Sequence, residues 1–136
     1  FGHDIEAAWL IEEAAIIIQN KDLIQKARSC SIKIANAAAE GLDKDGGLWY
    51  EYEPGNGHLI KEKHSWPQAE SMIGFFNAWQ ITGDENYFQR SLNSWRFVQQ
   101  HILDKTAGEW VWGVTEDYTI MDKEKVGIWK CPYHNG

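Results

Sequence analysis

Helical periodicity in pairs constrains this chain most: two helical stretches joined by a turn of one or two residues, then a long loop, and then the same unit again. Residues 4–19 carry a broad apolar face through Ile5, Trp9 and Ile16, and residues 22–40 continue it through Leu23, Ala27, Ile34 and Ala38. Asn20 and Lys21 leave room only for a tight turn. Asp4 and Asp22 sit where a helix start favours an acid, and Gly41 is placed as the stop of the second helix. The pattern repeats where Ser65-Trp66-Pro67 opens a helix to about residue 82, with Pro67 in the first turn and Gly83 past the end. Residues 84–101 form its partner. The fold class this predicts is all-α, built of antiparallel helical hairpins.

The long loops have a grammar of their own. In residues 42–63, Leu48-Trp49-Tyr50-Glu51-Tyr52 and His58-Leu59-Ile60 flank Pro54-Gly55-Asn56-Gly57, the chemistry of a turn between two short strands. Residues 103–132 hold another expected strand, Glu109-Trp110-Val111-Trp112. If tight turns join the helices at one end, the long loops and the start of each first helix lie together at the other. His3, just before the first helix, Trp66 at the third and His134 at the end of the second loop are therefore expected to converge on one mouth.

Composition narrows the partners. Acids outnumber bases 20 to 13, a balance that argues against nucleic acid, because binding a polyanion relies on Lys and Arg. No apolar run spans a bilayer, since residues 14–18 are flanked by Glu13 and Gln19. Cys30 and Cys131 are too few for a disulfide framework, which favours the cytoplasm. Eight Trp suit the flat faces of sugar rings, although on composition alone a Trp-rich core is the better account of them.

Three short motifs, taken in order, say more. Gly2-His3-Asp4-Ile5-Glu6 followed by Trp9, then Trp66-Pro67-Gln68-Ala69-Glu70, then Trp129-Lys130-Cys131-Pro132-Tyr133-His134-Asn135 resemble the N-acylglucosamine 2-epimerase family, and the last is most similar to its branch acting on cellobiose. The resemblance implies an (α/α)6 barrel, of which residues 1–136 look like the C-terminal part of a single domain, with earlier helices lacking. It also implies a cofactor-independent isomerase that inverts C2 of the reducing-end glucose of cellobiose or a related β-linked disaccharide. Within the family, an N-acylglucosamine or monosaccharide epimerase or isomerase is the alternative. Outside it, the alternative is a carbohydrate-binding or interaction module without turnover.

Inverting C2 of an aldose means removing the proton beside the carbonyl and returning it to the other face of an enediolate, so two proton-transfer groups are needed. Histidine suits both, with an unperturbed pKa of about 6.5. By resemblance the pair is His3 and His134, with His134 as base and His3 as acid in the glucose-to-mannose direction. Glu6 lies one helical turn from His3, where it can orient the imidazole or accept a sugar hydroxyl. Trp66 and Trp129 are by resemblance the substrate-binding platforms, Trp9 lines the pocket or packs the core, and Gln68 and Tyr133 are supports.

Other groups are read more plainly. Cys131 and His134 lack a second Cys/His pair at metal-ligand spacing, so no metal is expected. Asp43, Asp45 and Glu51 are taken as a solvated turn rather than glycosidase acids. Among His58, His64 and His101, His64 stands nearest Trp66. Arg28, Arg90 and Arg96 all fall in second helices, and the resemblance implies that a basic group for the developing enediolate comes from the earlier helices; two hairpins with an uncovered apolar face are expected to self-associate.

Overall fold

The computed structural model describes residues 1–134. Asn135, the last residue of the third motif, lies outside the described residues. Among the described residues, four α-helices form two antiparallel hairpins: α1 (Gly2–Ile18) with α2 (Lys21–Ala38), and α3 (Ser65–Thr82) with α4 (Glu85–Phe97). α1 also packs along α3, which joins the hairpins side by side, while α2 meets α3 more lightly. α2 and α4 are amphipathic, with one buried stripe each. α1 and α3 carry apolar residues on every side, as helices sandwiched between layers do.

The turns are made as the sequence suggests. The Asn20 side chain accepts from the Leu23 N–H at 3.1 Å, and Asp84 accepts from the Asn86 N–H at 2.9 Å, each satisfying a donor at a helix start. Gly83 closes α3 in the left-handed conformation at φ 71°. Gly41 acts differently from the expected stop: α2 ends at Ala38 and a 3-10 turn, Ala39–Gly41, follows, against which the Phe1 ring packs.

Ile5, Ala8, Ala35, Ala38, Leu48, Phe75, Ala78 and Tyr87 make the core shared by the helices, and Phe97, Val98, Ile102, Val111 and Val114 a second cluster beneath the loops. α1 and α3 approach closely because Gly74 faces Ile5. A Cβ at Gly74 would lie 2.5 Å from Ile5 Cγ1 and 2.8 Å from its carbonyl oxygen, and one at Gly2 would lie 2.5 Å from the Trp66 ring.

The predicted hairpin is present, with β1 (Glu51–Glu53) antiparallel to β2 (His58–Ile60) in the register Tyr52 to Leu59. The strand expected at 109–112 is displaced. Glu109 takes a φ of 62°, which no extended strand tolerates, so Trp110 makes only an isolated bridge to Leu103. The ladder forms only past the expected strand, where β4 (Gly113–Val114) pairs with β3 (Lys63–His64). α4 stops at Phe97 instead of 101 and opens into a wider π turn, Val98–Ile102. His3 lies within the first turn of α1, not before it, because the Phe1 carbonyl already accepts the Ile5 N–H at 3.0 Å. Among the described residues no helix is long and apolar enough to cross a membrane.

Candidate active site

Both α1 and α3 begin at the end of the molecule where the long loops gather, and a cavity of about 510 Å³ opens there. Its lining includes His3 and Glu6 from α1, Trp66 from α3, and Trp129 and His134 from the second loop. The structure thus brings all five candidate residues to one place. The Trp66 ring lies against both imidazoles, with centroids 4.7 Å from His3 and 5.7 Å from His134.

His134 is held from below. Its Nδ1 lies 2.8 Å from Oε1 of Glu70, a carboxylate 2% exposed, whose Oε2 accepts the Trp9 indole N–H at 2.7 Å. With Nδ1–H donated to the carboxylate, Nε2 is left as the basic atom. This chain from Trp9 through Glu70 to His134 escapes a reading of single motifs. Its one sequence signal is the spacing of Trp66 and Glu70, four residues apart on one helix face. Glu6 is half-buried, and among the described residues it makes no hydrogen bond to His3. Trp129 sits at the rim and is 82% exposed, so its ring is a platform open to one side.

The far wall carries residues that sequence reasoning left in the background: Tyr50, His64, Trp112 and Lys123. The His64 ring lies 4.1 Å from that of Tyr50, and its Nε2 is 2.8 Å from Glu62 Oε2. Burial pushes His64 down, the Glu62 hydrogen bond and charge pull it up, and Lys123 pushes it down again. The balance falls below the ordinary histidine value and favours a neutral ring. Gln68, expected as a support, is one: fully buried, it accepts the Leu48 N–H at 2.7 Å and donates to the Leu48 and His64 carbonyls.

Asp43 and Asp45 are not a solvated turn. Both pair at 2.7 Å with the ammonium of Lys63, which is 2% exposed and lies over the Phe97 and Tyr118 rings. Tyr118 donates to Asp45 at 2.6 Å, so this buried cation ties the 43–47 loop, β3 and the 115–120 loop together behind the cavity wall. The signal was a lysine in a run destined to be covered, and only tertiary structure shows what covers it.

Two imidazoles against one indole, one of them held by a buried carboxylate, at the loop end of packed helical hairpins, make an arrangement that can exchange protons beside flat apolar walls. Residues 2–135 match N-acylglucosamine 2-epimerase (GlcNAc 2-epimerase), and the chain belongs to that family. It is 43% identical to a cellobiose 2-epimerase of Bacteroides fragilis across its whole length, which is 35% of that protein. Among solved structures, a sugar epimerase from a ruminal bacterium superposes with a TM-score of 0.92 at 38% identity, covering 98% of this chain and 34% of that one. A D-mannose isomerase does so with a TM-score of 0.78 at 30% identity, again over 98% of this chain and 34% of the other. The expected partial (α/α)6 barrel with short hairpin insertions agrees with this likeness. The chain spans about a third of the length of these relatives. That share sets the size of the common piece and not its position, so the comparisons do not carry the C-terminal placement expected from the motifs.

Proposed function

We propose that the protein to which this chain belongs inverts C2 of the reducing-end glucose of cellobiose or a related β-linked disaccharide, without a cofactor, by proton transfer between His134 and His3. The observation that carries this reading is the pair of imidazoles that both lie against Trp66 in one cavity, with His134 hydrogen-bonded to Glu70. On the open-chain aldose, Nε2 of His134 takes the C2 proton, the C–H electron pair becomes the C1–C2 double bond, and the carbonyl electrons move to O1. His3 then delivers a proton to C2 from the other face, the double bond collapses back to a C1 carbonyl, and the epimer closes. The reverse direction exchanges the two roles. Trp66 and Trp129 offer ring faces to the sugar, and Glu6, beside His3, accepts a hydroxyl. Arg28, Arg90 and Arg96 all lie on α2 and α4, away from the cavity lining, so a guanidinium that stabilises the charge on O1 would come from outside this chain, while Lys123 and Lys130 are the cations of this chain that line the cavity.

The likeness to a D-mannose isomerase supports a second reading, in which the enediolate is protonated at C1 and an aldose becomes a ketose. Two unpaired cysteines, Cys30 and Cys131, both exposed, fit a reducing compartment such as the cytoplasm. The test is product analysis in heavy water with the full-length protein and cellobiose. Deuterium at C2 of an epimerised disaccharide is expected, with His3→Asn and His134→Asn each slowing turnover by about 10² to 10⁴. A ketose product would favour the second reading. Unchanged activity in either variant would remove that histidine from the pair.

A further inference from the structure

Residues 124–134 bring Trp129 and His134 to the cavity, yet among the described residues no backbone hydrogen bond joins this strap to the rest of the chain. Its own backbone bond is internal, from the Gly127 N–H to the Lys130 carbonyl at 3.0 Å. Apolar packing does not hold it either, because Val126, Ile128 and Trp129 are each more than 70% exposed. The strap is tethered through side chains. The Lys125 ammonium pairs with Asp104 and donates to the Gly108 carbonyl at 3.3 Å, and the Lys130 ammonium donates to Glu109 Oε1 at 2.8 Å. Lys130 is 7% exposed despite its charge.

The receiving turn is a built feature. The Asp104 carboxylate accepts the Thr106 and Ala107 N–H groups at 2.9 and 3.0 Å, and its backbone exchanges hydrogen bonds with Glu109 and Gly108. The turn is anchored in the core by the Leu103–Trp110 bridge and by the Val111 N–H on the Ile102 carbonyl. Lys125 and the turn's own N–H groups hold the Asp104 carboxyl far below the usual carboxylate range. The two lysines and the two carboxylates are each five residues apart, so each pair fixes the register of the other. A single contact would let the strap pivot.

We propose that Lys130 through Glu109, and Lys125 through Asp104, are positioning residues: a two-point clasp that sets the register of the strap so that the His134 imidazole meets Glu70. This rests on the proton-transfer role proposed for His134. In the full-length protein, Lys130→Met is expected to lower kcat on cellobiose at least about tenfold with a smaller change in KM, since His134 is misaligned while Trp66, held on α3, stays in place. Lys130→Arg should restore most of the rate. Glu109→Gln should resemble Lys130→Met, and the double variant should be no worse than either single one, the mark of one shared interaction.

A second readout does not depend on turnover: nitrogen-15 histidine spectra, in which the Nδ1–H signal of His134 bonded to Glu70 should weaken in Lys130→Met while the His3 signals stay in place. Should Lys130→Met fail to fold, Glu109→Gln, at a carboxylate 39% exposed, carries the same test. A lowered melting temperature with kcat and the His134 signal unchanged would overturn the clasp and leave a structural salt bridge. If the wild-type protein epimerises no sugar, the proposed function fails, and the His134 signal alone decides the clasp.

Discussion

Replacing Glu70 with Gln keeps the shape of the side chain and removes one acceptor. In the native site both carboxylate oxygens are used, Oε2 by the Trp9 N–H at 2.7 Å and Oε1 by His134 Nδ1 at 2.8 Å. A glutamine offers one oxygen and an NH2 group, so it satisfies one of these donors and confronts the other with an N–H. If Trp9 loses, a buried donor is stranded, at a cost of about 1–3 kcal/mol in stability. If His134 loses, the ring adopts the other tautomer: Nδ1 accepts from the amide and Nε2 carries the hydrogen. That nitrogen then cannot take the C2 proton. The site is too buried for water to relieve either conflict, with Glu70 only 2% exposed. We expect Glu70→Gln to slow C2 exchange by at least about 10², the lower end of what a correctly poised general base supplies. The assay is deuterium uptake at C2 of cellobiose in heavy water by the full-length protein, beside a urea midpoint for stability. An exchange rate and a urea midpoint both indistinguishable from wild type would refute the reasoning, because neither donor would then have lost its acceptor.

The two platform tryptophans should separate cleanly: Trp129→Ala is expected to leave stability within about 0.5 kcal/mol while weakening disaccharide affinity, whereas Trp66→Ala, which removes the contact of both imidazoles, should cost about 3 kcal/mol and activity as well. Isothermal titration and denaturant midpoints measure these effects. Lys63→Met should destabilise by about 3 kcal/mol, since it strands two carboxylates around an emptied buried position; an unchanged midpoint would count against the network. Burial pushes the Asp43 carboxyl up, but hydrogen bonds from Lys63, the Lys44 N–H and Trp49, with the Lys63 charge, bring it below its ordinary value. Its contribution is therefore complete above the unfolded value of about 3.9 and is lost as pH falls through the lower folded one. Asp43→Asn should flatten that acid limb of the stability profile. His64, buried against Tyr50, should titrate by NMR below about 6.5. The 136-residue piece by itself, with Ile17 76% and Ile18 62% exposed, should associate when examined by light scattering.

Sequence made the scaffold legible because its punctuation is local. Asn20, Gly83 and Pro54-Gly55-Asn56-Gly57 each act within a few residues, and each produced the expected turn. The convergence of His3, Trp66 and His134 followed from topology, since helices joined tightly at one end must share the other. What escaped depends on contacts between distant segments. Glu70 stood in a motif without a role of its own, because its partners His134 and Trp9 lie 64 and 61 residues away in sequence. Asp43 and Asp45 looked solvated because nothing near them in sequence reveals that Lys63 is covered by Phe97 and Tyr118. The strand expected at 109–112 failed on one residue, Glu109, whose positive φ no propensity scale foresees.

The contact of Gly74 with Ile5 reaches further than packing. Gly74 lies eight residues, or about 12 Å of helix rise, beyond Trp66 on α3, and Ile5 sits two residues past His3 on α1. The spacing between the helix that bears His3 and the helix that bears Trp66 and Glu70 is therefore set where a methyl group is missing, at a glycine outside the cavity lining. Substituents at that point act as shims: Gly74→Ala would wedge the two helices apart and widen the gap between imidazole and indole without touching a single group that meets the sugar. In this chain the reach between His3 and Trp66 can thus be retuned from a position outside the cavity lining.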